Sequence, residues 1–190
     1  MTITAITGCI GSGKSVISQL LRVMGYPVYD TDSEAKRLME SSDVIRAGLI
    51  ARYGEAVYAG GRLNKPMLAA RIFGNPAELA AVNALVHPEV KRALREWALR
   101  QSARRCFFES AILFESGFES EADTVWSVSA PQEVRLGRAM LRDGATREQV
   151  LARMEAQLSQ AEKDARADVV LLNDDSRALI PQVLRALTAG

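Results

Sequence analysis

The chain has 190 residues, of which 48% are apolar, so it suits one domain with an inserted subdomain and is not disordered as a whole. Its 24 Lys and Arg residues nearly balance its 23 Asp and Glu residues. The resulting net charge of +1 offers no global attraction for nucleic acid or an anionic membrane surface, so we expect neither as a partner.

A glycine-rich segment lies between the first predicted strand and the first predicted helix. After the β-branched run Thr2–Thr7, residues 8–15 read Gly-Cys-Ile-Gly-Ser-Gly-Lys-Ser, which fits the phosphate-binding pattern G-x-x-x-x-G-K-[ST]. Glycine permits positive φ, so the N–H groups of residues 11–15 can face an anion beside the positive end of a helix. Because strand, loop and helix follow in order, a chance match is disfavoured. We therefore expect a nucleotide to be bound by Gly11, Ser12, Gly13, Lys14, Ser15 and Val16.

Two side chains of this loop have specific expected tasks. Lys14 should contact the β- and γ-phosphates of ATP, and the Ser15 hydroxyl should bind Mg²⁺. The backbone conformation at Cys9 matters for stability. If its φ is positive, its side chain is strained, and Cys9→Gly should stabilise the protein.

Two carboxylates, Asp30 and Asp32, follow the second predicted strand. Open α/β sheets bind ligands at the carboxyl ends of their strands. One carboxylate could accept the proton of an attacking hydroxyl while the other helps to organise Mg²⁺. The simpler interpretation is that Asp32 or Ser33 caps the helix that begins at Glu34, and both roles are compatible.

Residues 43–105 show a mostly helical pattern with Gly and Pro breaks and no strong strand. Since this stretch of roughly sixty residues exceeds one crossover helix, we predict a helical insertion that covers an acceptor substrate, with a structural cap as the alternative. His87 falls between two predicted helices, the second of which has Pro88 at its first position. Its position favours a structural or substrate-contacting role over proton transfer.

Further candidates follow the remaining predicted strands. Residues 106–108 predict a buried strand that ends at Glu109, from which a P-loop enzyme can position Mg²⁺ or its water, and Glu115 is a weaker candidate. Strands are also predicted at residues 124–128 and 169–172. Asn173 follows the last of these, where it could contact adenine or ribose, although a turn is the simpler account.

A helical hairpin is predicted between the fourth and fifth strands. Arg138 and Arg142 lie four residues apart on one helix face, and residues 146–149 form a capping box that opens the next helix. In a phosphoryl-transfer enzyme such a hairpin can close on the nucleotide, neutralise moving charge and exclude water. A surface helix with solvated arginines is the alternative, and the phosphate loop makes the lid the preferred interpretation.

These elements predict an α/β protein with a P-loop NTPase-type three-layer fold: a five-stranded parallel sheet, a helical acceptor-binding insertion and a helical lid. We expect the nucleotide-binding core at residues 1–32, 106–134 and 160–190, the insertion at 33–105 and the lid at 135–158.

The whole chain resembles the dephospho-coenzyme A kinase family. Beyond the phosphate loop, the resemblance is carried by Asp30-Thr31-Asp32, Arg71-Ile72-Phe73, Asn75-Pro76, Leu85-Val86-His87-Pro88, Ala111-Ile112-Leu113-Phe114-Glu115, residues 138–143, Gln157, Ala167-Asp168 and Asn173. No later segment is diagnostic alone, but their ordered combination is specific. The chain departs from many relatives at Cys9 and Ala111, where they carry glycine and proline, which affects local backbone shape more than the reaction.

The resemblance implies transfer of the γ-phosphate of ATP, with Mg²⁺, to the ribose 3′-hydroxyl of dephospho-coenzyme A, an alcohol acceptor. This is the last step of coenzyme A biosynthesis. Asp32 matches the family carboxylate thought to act as the base, and Arg138 and Arg142 match its lid arginines. His87 falls in the acceptor-side helices and is therefore a candidate for substrate binding.

Other functions remain as alternatives. Another small-molecule kinase, acting on a nucleoside monophosphate, shikimate or gluconate, would need a different acceptor domain. A GTP-dependent switch would need Asn-Lys-x-Asp after a strand, whereas Asn64-Lys65-Pro66-Met67 lacks the aspartate and lies in the insertion. The balanced charge disfavours a nucleic-acid-binding ATPase. With two cysteines and no visible signal peptide or long apolar run, the chain is expected to be cytoplasmic.

Overall fold

A computed structural model describes residues 1–188, which form seven strands and nine α-helices. The predicted core segment 160–190 thus ends with two residues outside the described part. The strands are β1 (Thr2–Thr7), β2 (Val28–Asp30), β3 (Tyr58–Ala59), β4 (Arg62–Leu63), β5 (Arg105–Glu109), β6 (Thr124–Ser129) and β7 (Val169–Leu172). The helices are α1 (Lys14–Val23), α2 (Thr31–Ser41), α3 (Asp43–Tyr53), α4 (Lys65–Ile72), α5 (Pro76–Leu99), α6 (Gln132–Asp143), α7 (Arg147–Glu155), α8 (Gln160–Ala165) and α9 (Leu179–Thr188).

The main sheet has five parallel strands in the order β2-β5-β1-β6-β7, which confirms the predicted fold class. β1 occupies the centre, so the loop that follows it starts in the middle of the carboxyl edge. In the register of the sheet, Glu109 lies opposite Ile6 on one side and Asp30 on the other. Two predicted candidates for metal chemistry therefore end neighbouring strands.

The core beside this sheet is built from the apolar strand residues and one face of α1 and α9. Phe107 of β5 packs edge-on against Tyr26, with ring centroids 5.5 Å apart, and its ring is tilted against that of Trp126 of β6, with centroids 5.2 Å apart. The fully buried Ile17 and Leu21 of α1 join the same cluster. This packing holds the start of α1, and hence the phosphate loop, over the sheet edge.

The chain forms two compact units, one of residues 1–30 with residues from 100 onward, and the other of residues 31–99. The second unit contains α2 to α5 and a two-stranded antiparallel hairpin of β3 and β4. This short hairpin was not predicted from the sequence. Each of its strands has two residues, which is too short for an alternating pattern to show.

The helix that carries His87 also differs from the prediction. α5 runs without a break from Pro76 to Leu99, and Pro88 lies inside it rather than at a first helical position. A proline there removes one backbone hydrogen bond. The helix continues because every fourth side chain is buried on one face, namely Val82, Val86, Val90, Leu94 and Ala98.

No helix among residues 1–188 combines the length and the apolar character needed to cross a membrane.

Candidate active site

The phosphate loop between β1 and α1 requires glycine at three positions. Gly8, Gly11 and Gly13 have φ of 143°, 77° and 97°, a region that favours glycine. A Cβ at Gly11 would lie 2.1 Å from the backbone oxygen of Arg135, and one at Gly8 would lie 2.4 Å from that of Val128. Neighbouring backbone thus fills the space that a side chain would occupy.

The loop leaves several donors available for an anion. Within residues 1–188, the N–H groups of Gly11, Gly13 and Ser15 have no hydrogen-bond acceptor. The Ser12 N–H donates to the carbonyl of Cys9 at 3.1 Å, contrary to the expectation that all five amides face the ligand. The Ser12 hydroxyl is buried without a partner among the described residues, so it remains a candidate donor or acceptor.

Lys14 begins α1, and its side chain is directed back across the loop. It is 8% exposed, and its Nζ donates to the carbonyl of Gly8 at 2.9 Å and of Cys9 at 3.3 Å. The ammonium is therefore held inside the curve of the loop, beside the available N–H groups. This concentrates positive charge where a polyphosphate would bind.

Cys9 does not carry the backbone strain considered above. Asp175, at φ 63°, is the non-glycine residue with positive φ in the described part of the chain, so the premise for stabilisation by Cys9→Gly was wrong. The Cys9 thiol donates to the carbonyl of Leu158 at 3.3 Å. Burial raises its pKa, although nearby cations, of which Arg135 acts most strongly, have the opposite effect.

Arg138 of α6 and Asn173 after β7 meet at the phosphate loop. The Asn173 side chain donates to the carbonyl of Ser12 at 2.8 Å, and Arg138 Nη2 contacts the Asn173 side-chain oxygen at 3.5 Å. Arg138 Nη2 also pairs with Asp175 at 2.5 Å, a contact that the sequence did not indicate. Arg138 Nη1 is buried without a partner among residues 1–188 and lies 4.0 Å from the Cβ position of Gly13. An anion in the loop would satisfy this donor.

Arg142 has a different environment from Arg138. It lies in the last turn of α6 with a 60% exposed side chain, and it pairs with the Asp143 carboxylate at 2.7 Å. Arg153 contacts the same carboxylate at 2.9 Å. Hydrogen bonds from these two arginines lower the pKa of Asp143 to about 2, and the hydrogen bond with Asp143 raises the pKa of Arg142. The structure thus brings Arg138 to the loop but pairs Arg142 within the hairpin.

The sheet edge next to the loop offers carboxylates suited to Mg²⁺. Glu109 accepts a hydrogen bond from the hydroxyl of Ser18 at 2.7 Å, and Asp30 is its neighbour across the sheet. Residues 1–188 contain no group of three or more His, Cys, Asp or Glu side chains that could hold a metal ion by itself. Mg²⁺ in phosphoryl-transfer sites uses one or two carboxylates together with substrate phosphates. Asp30 and Glu109, which are paired at this edge, have the chemistry that such a shared site uses.

Glu115 was the weaker metal candidate, and the structure assigns it another partner. Its carboxylate accepts hydrogen bonds from Lys163 Nζ at 2.8 Å and from the N–H of Leu158 at 2.9 Å. Lys163 is fully buried and also donates to the carbonyl of Ala111 at 2.7 Å. Glu115 is therefore engaged in a buried ion pair rather than available to a metal. Sequence reasoning missed Lys163, since nothing in its local pattern distinguishes it from a surface lysine.

Asp32 and His87 lie in the second unit. α2 begins at Thr31, so the exposed Asp32 and its neighbour Ser33 belong to its first turn and do not precede the helix as caps. This placement favours a carboxylate through the helix dipole. His87 is half-buried in α5, where burial, assisted by the charge of Lys91, lowers its pKa.

Comparisons with known proteins identify the family of this chain. A family model described as dephospho-CoA kinase matches residues 2–178. The dephospho-CoA kinase of Bacteroides fragilis (strain YCH46) is 46% identical over 186 residues, which cover 96% of this chain and 89% of the relative. The crystal structure of TT1252 from Thermus thermophilus has a TM-score of 0.87 at 42% identity, covering 99% of this chain and 96% of that one.

A more distant structure, the dephospho-CoA kinase from Campylobacter jejuni, has a TM-score of 0.70 at 21% identity, covers 98% of this chain and 95% of its own, and shows the shared fold alone. The family model and the Bacteroides relative both extend over nearly all of this chain. The chain therefore belongs to the dephospho-CoA kinase family.

Proposed function

We propose that this protein transfers the γ-phosphate of ATP to the ribose 3′-hydroxyl of dephospho-coenzyme A, giving coenzyme A and ADP. The observation that carries the proposal is the membership of the dephospho-CoA kinase family over residues 2–178. The phosphate loop supplies the chemical reason, because its available N–H groups and buried Lys14 suit a polyphosphate. We place the reaction in the cytoplasm, with small molecules as partners rather than nucleic acid or a membrane.

The first unit would bind the nucleotide. Gly11, Gly13 and Lys14 hold the phosphates, Arg138 offsets charge that develops on the transferred group, and the remaining proposed contacts come from Ser12, Val16 and Asn173. The Ser15 hydroxyl would hold Mg²⁺, with Asp30 and Glu109 holding its water, and the ion would supply positive charge beside the phosphates. Arg142, the other arginine of the proposed lid, would help to neutralise the charge on the transferred group when the hairpin closes on the nucleotide.

The second unit would bind the acceptor. Asp32 accepts the proton of the ribose hydroxyl as that oxygen attacks the γ-phosphate in line. His87 contacts the acceptor, and its lowered pKa keeps the imidazole neutral near pH 7, which favours a hydrogen-bonding role over a charged one. These roles divide the reaction between a carboxylate that removes a proton and cations that stabilise the phosphoryl group.

The test is a product assay with purified protein, ATP and Mg²⁺. Dephospho-coenzyme A is run beside shikimate, gluconate and nucleoside monophosphates, and products are identified by mass and by phosphorus NMR. We expect phosphate on the 3′-hydroxyl of dephospho-coenzyme A and background rates with the other acceptors. Turnover of another acceptor without formation of coenzyme A would overturn the proposal.

A further inference from the structure

The segment from the end of α7 to the first residue of α8 contacts the first half of the phosphate loop. Gln160 Oε1 accepts a hydrogen bond from the N–H of Cys9 at 3.1 Å, and Gln157 Oε1 accepts one from the N–H of Ile10 at 3.0 Å. Between the two glutamines, the carbonyl of Leu158 accepts the Cys9 thiol hydrogen bond. Two consecutive loop amides thus have side-chain acceptors from one short segment.

Both glutamines are themselves held in place by their amide nitrogens. Gln160 Nε2 lies 3.2 Å from Ser127 Oγ, 3.2 Å from the carbonyl of Val128 and 2.7 Å from Asp164 Oδ1. Gln157 Nε2 lies 3.5 Å from the carbonyl of Ala111, to which buried Lys163 also donates. The acceptor oxygens are therefore fixed relative to the end of β6 and to the segment after β5.

The loop divides its amides between the protein and the anion site. The N–H groups of Cys9 and Ile10 are bound by the glutamines, whereas those of Gly11, Gly13 and Ser15 have no acceptor within residues 1–188. Adjacent peptide planes share a Cα and are related by only two dihedral angles, so holding the peptide before Ile10 restricts the directions open to the N–H of Gly11. Fixing the first two amides therefore orients the next ones.

The hairpin of α6 and α7 contacts the same part of the loop. The Ile10 side chain packs against the small apolar cluster of the hairpin, formed by Leu136, Ala139 and Val150. Gly11 lies directly against the backbone of Arg135 in α6. Ile10, whose N–H is bound by Gln157, thus also contacts the hairpin, as does the next loop residue.

We propose that Gln157 and Gln160 are positioning residues for the polyphosphate of the nucleotide: by binding the amides of Ile10 and Cys9 they hold the loop with its remaining N–H groups toward the phosphates. The inference rests on the proposed function for the identity of the ligand. Neither glutamine touches the nucleotide, since each acts through a loop amide. Losing either acceptor weakens binding of the phosphates and leaves binding of the acceptor substrate unchanged.

The main test is Gln157→Met, which keeps the size of the side chain and removes the acceptor of the Ile10 N–H. Isothermal titration with ADP and Mg²⁺ measures nucleotide affinity directly, and steady-state kinetics with both substrates measures the two KM values. We expect ADP to bind about tenfold more weakly and KM for ATP to rise about tenfold. KM for dephospho-coenzyme A should stay within about twofold.

Gln149→Ala is the matched control, because it removes a side-chain hydrogen bond from the same hairpin without a contact to the loop. Gln149 accepts from the N–H of Thr146 at 3.0 Å as part of the α7 capping box. This variant should lower the melting temperature and leave ADP affinity within about twofold. If Gln157 had only a structural role, both variants would lower the melting temperature and leave ADP affinity within about twofold.

Gln160→Met tests the second acceptor independently and should also weaken ADP binding. Unchanged ADP affinity in Gln157→Met, or an equal loss in Gln149→Ala, would overturn the proposal. Failure of both methionine variants to fold would assign the glutamines to folding and would overturn it as well. Since the ADP titration needs no acceptor, it remains informative if the protein phosphorylates another compound, whereas absence of ADP binding in the unmodified protein would contradict the proposed function itself.

Discussion

Cys9 is 3% exposed, and its Sγ donates a hydrogen bond to the carbonyl of Leu158. Because its φ is not positive, glycine would relieve no strain at this position. We now expect Cys9→Gly to lower the free energy of unfolding by about 1–2 kcal/mol, through greater freedom of the unfolded chain and loss of buried contacts. Urea unfolding measures this change. Cys9→Ala removes the thiol alone and should lose less, and a gain in stability for Cys9→Gly would contradict this account.

Lys163 and Glu115 form an ion pair in which the ammonium is fully buried. Burial raises the pKa of Glu115, but hydrogen bonds from Lys163 and from the N–H of Leu158 outweigh it, and the net pKa is lowered. Glu115→Gln leaves the buried ammonium without its counter-charge, so we expect a loss of about 3–5 kcal/mol in the free energy of unfolding. Combining it with Lys163→Met should recover part of this loss. Urea unfolding of the two single variants and of the double variant gives a double-mutant cycle. If the losses of the two single variants simply add in the double variant, the two side chains are not energetically coupled.

Asp32 is the proposed base, and Asp32→Asn tests that role. Asparagine cannot accept the ribose proton, so we expect kcat to fall by roughly 10²–10⁴-fold while the affinity for ADP stays within about twofold. Glu34→Gln is a suitable control, since Glu34 also lies in the first turn of α2 and experiences the same helix dipole. Steady-state kinetics and ADP titration measure the two effects. Near-normal turnover of Asp32→Asn would show that another group removes the proton.

At the scale of elements, the phosphate loop and the end of α6 each depend on a glycine with positive φ. Gly11 has φ 77° and Gly144 has φ 61°, but a Cβ at Gly144 would meet nothing within 4 Å. Gly144→Ala should therefore reduce the free energy of unfolding by about 1–2 kcal/mol through φ strain alone. Gly11→Ala adds a clash with the backbone of Arg135, so a loss of more than about 3 kcal/mol is expected, together with loss of ADP binding. Thermal unfolding of the two variants measures the losses of stability, and ADP titration measures nucleotide binding. Equal losses of stability would show that the backbone of α6 moves away from the new Cβ at position 11 at little cost.

Helix boundaries were predictable where a local motif sets them. The capping box at Thr146 opens α7 as the spacing predicts, because both partners of the box lie within four consecutive residues. At Pro88, in contrast, the local sequence predicts a wrong helix boundary. Its local signal predicts a helix start, but the buried face of α5 on both sides of it depends on packing against α2 and α3, which the local sequence does not record.

For the whole molecule, the order of apolar runs and the strand-loop-helix motif were sufficient for the fold class. Each parallel strand reads as a short buried run, and the connection between consecutive strands decides that the sheet is parallel. The partners around the phosphate loop were not predictable in the same way. Asn173 contacts Ser12 across 161 positions, and Gln157 contacts Ile10 across 147. Such long-range pairs form only because the sheet and the hairpin pack together, whereas the loop glycines are required by the backbone conformation of the loop itself.

The pH dependence of stability combines groups from both units. Hydrogen bonds from Arg52 and Tyr53 lower the pKa of Glu78 to about 2, and hydrogen bonds from arginine side chains lower that of Asp143 to about 2. Unfolded carboxyl groups titrate near pH 4, so as pH falls through this value the unfolded chain binds protons before the folded one does. The stabilisation from these groups is therefore complete above about pH 4 and is lost between about pH 4 and pH 2.

His87 adds a second pH range at higher values. Burial lowers its pKa in the folded protein, whereas an unfolded histidine titrates near pH 6.5. As pH falls below about 6.5, the unfolded state takes up a proton first, so the free energy of unfolding should decrease from that point and decrease further below about pH 4. Urea unfolding at a series of pH values from 8 to 2 would show both declines. His87→Asn should remove the first decline and keep the second, and persistence of the first decline in this variant would mean that another group causes it.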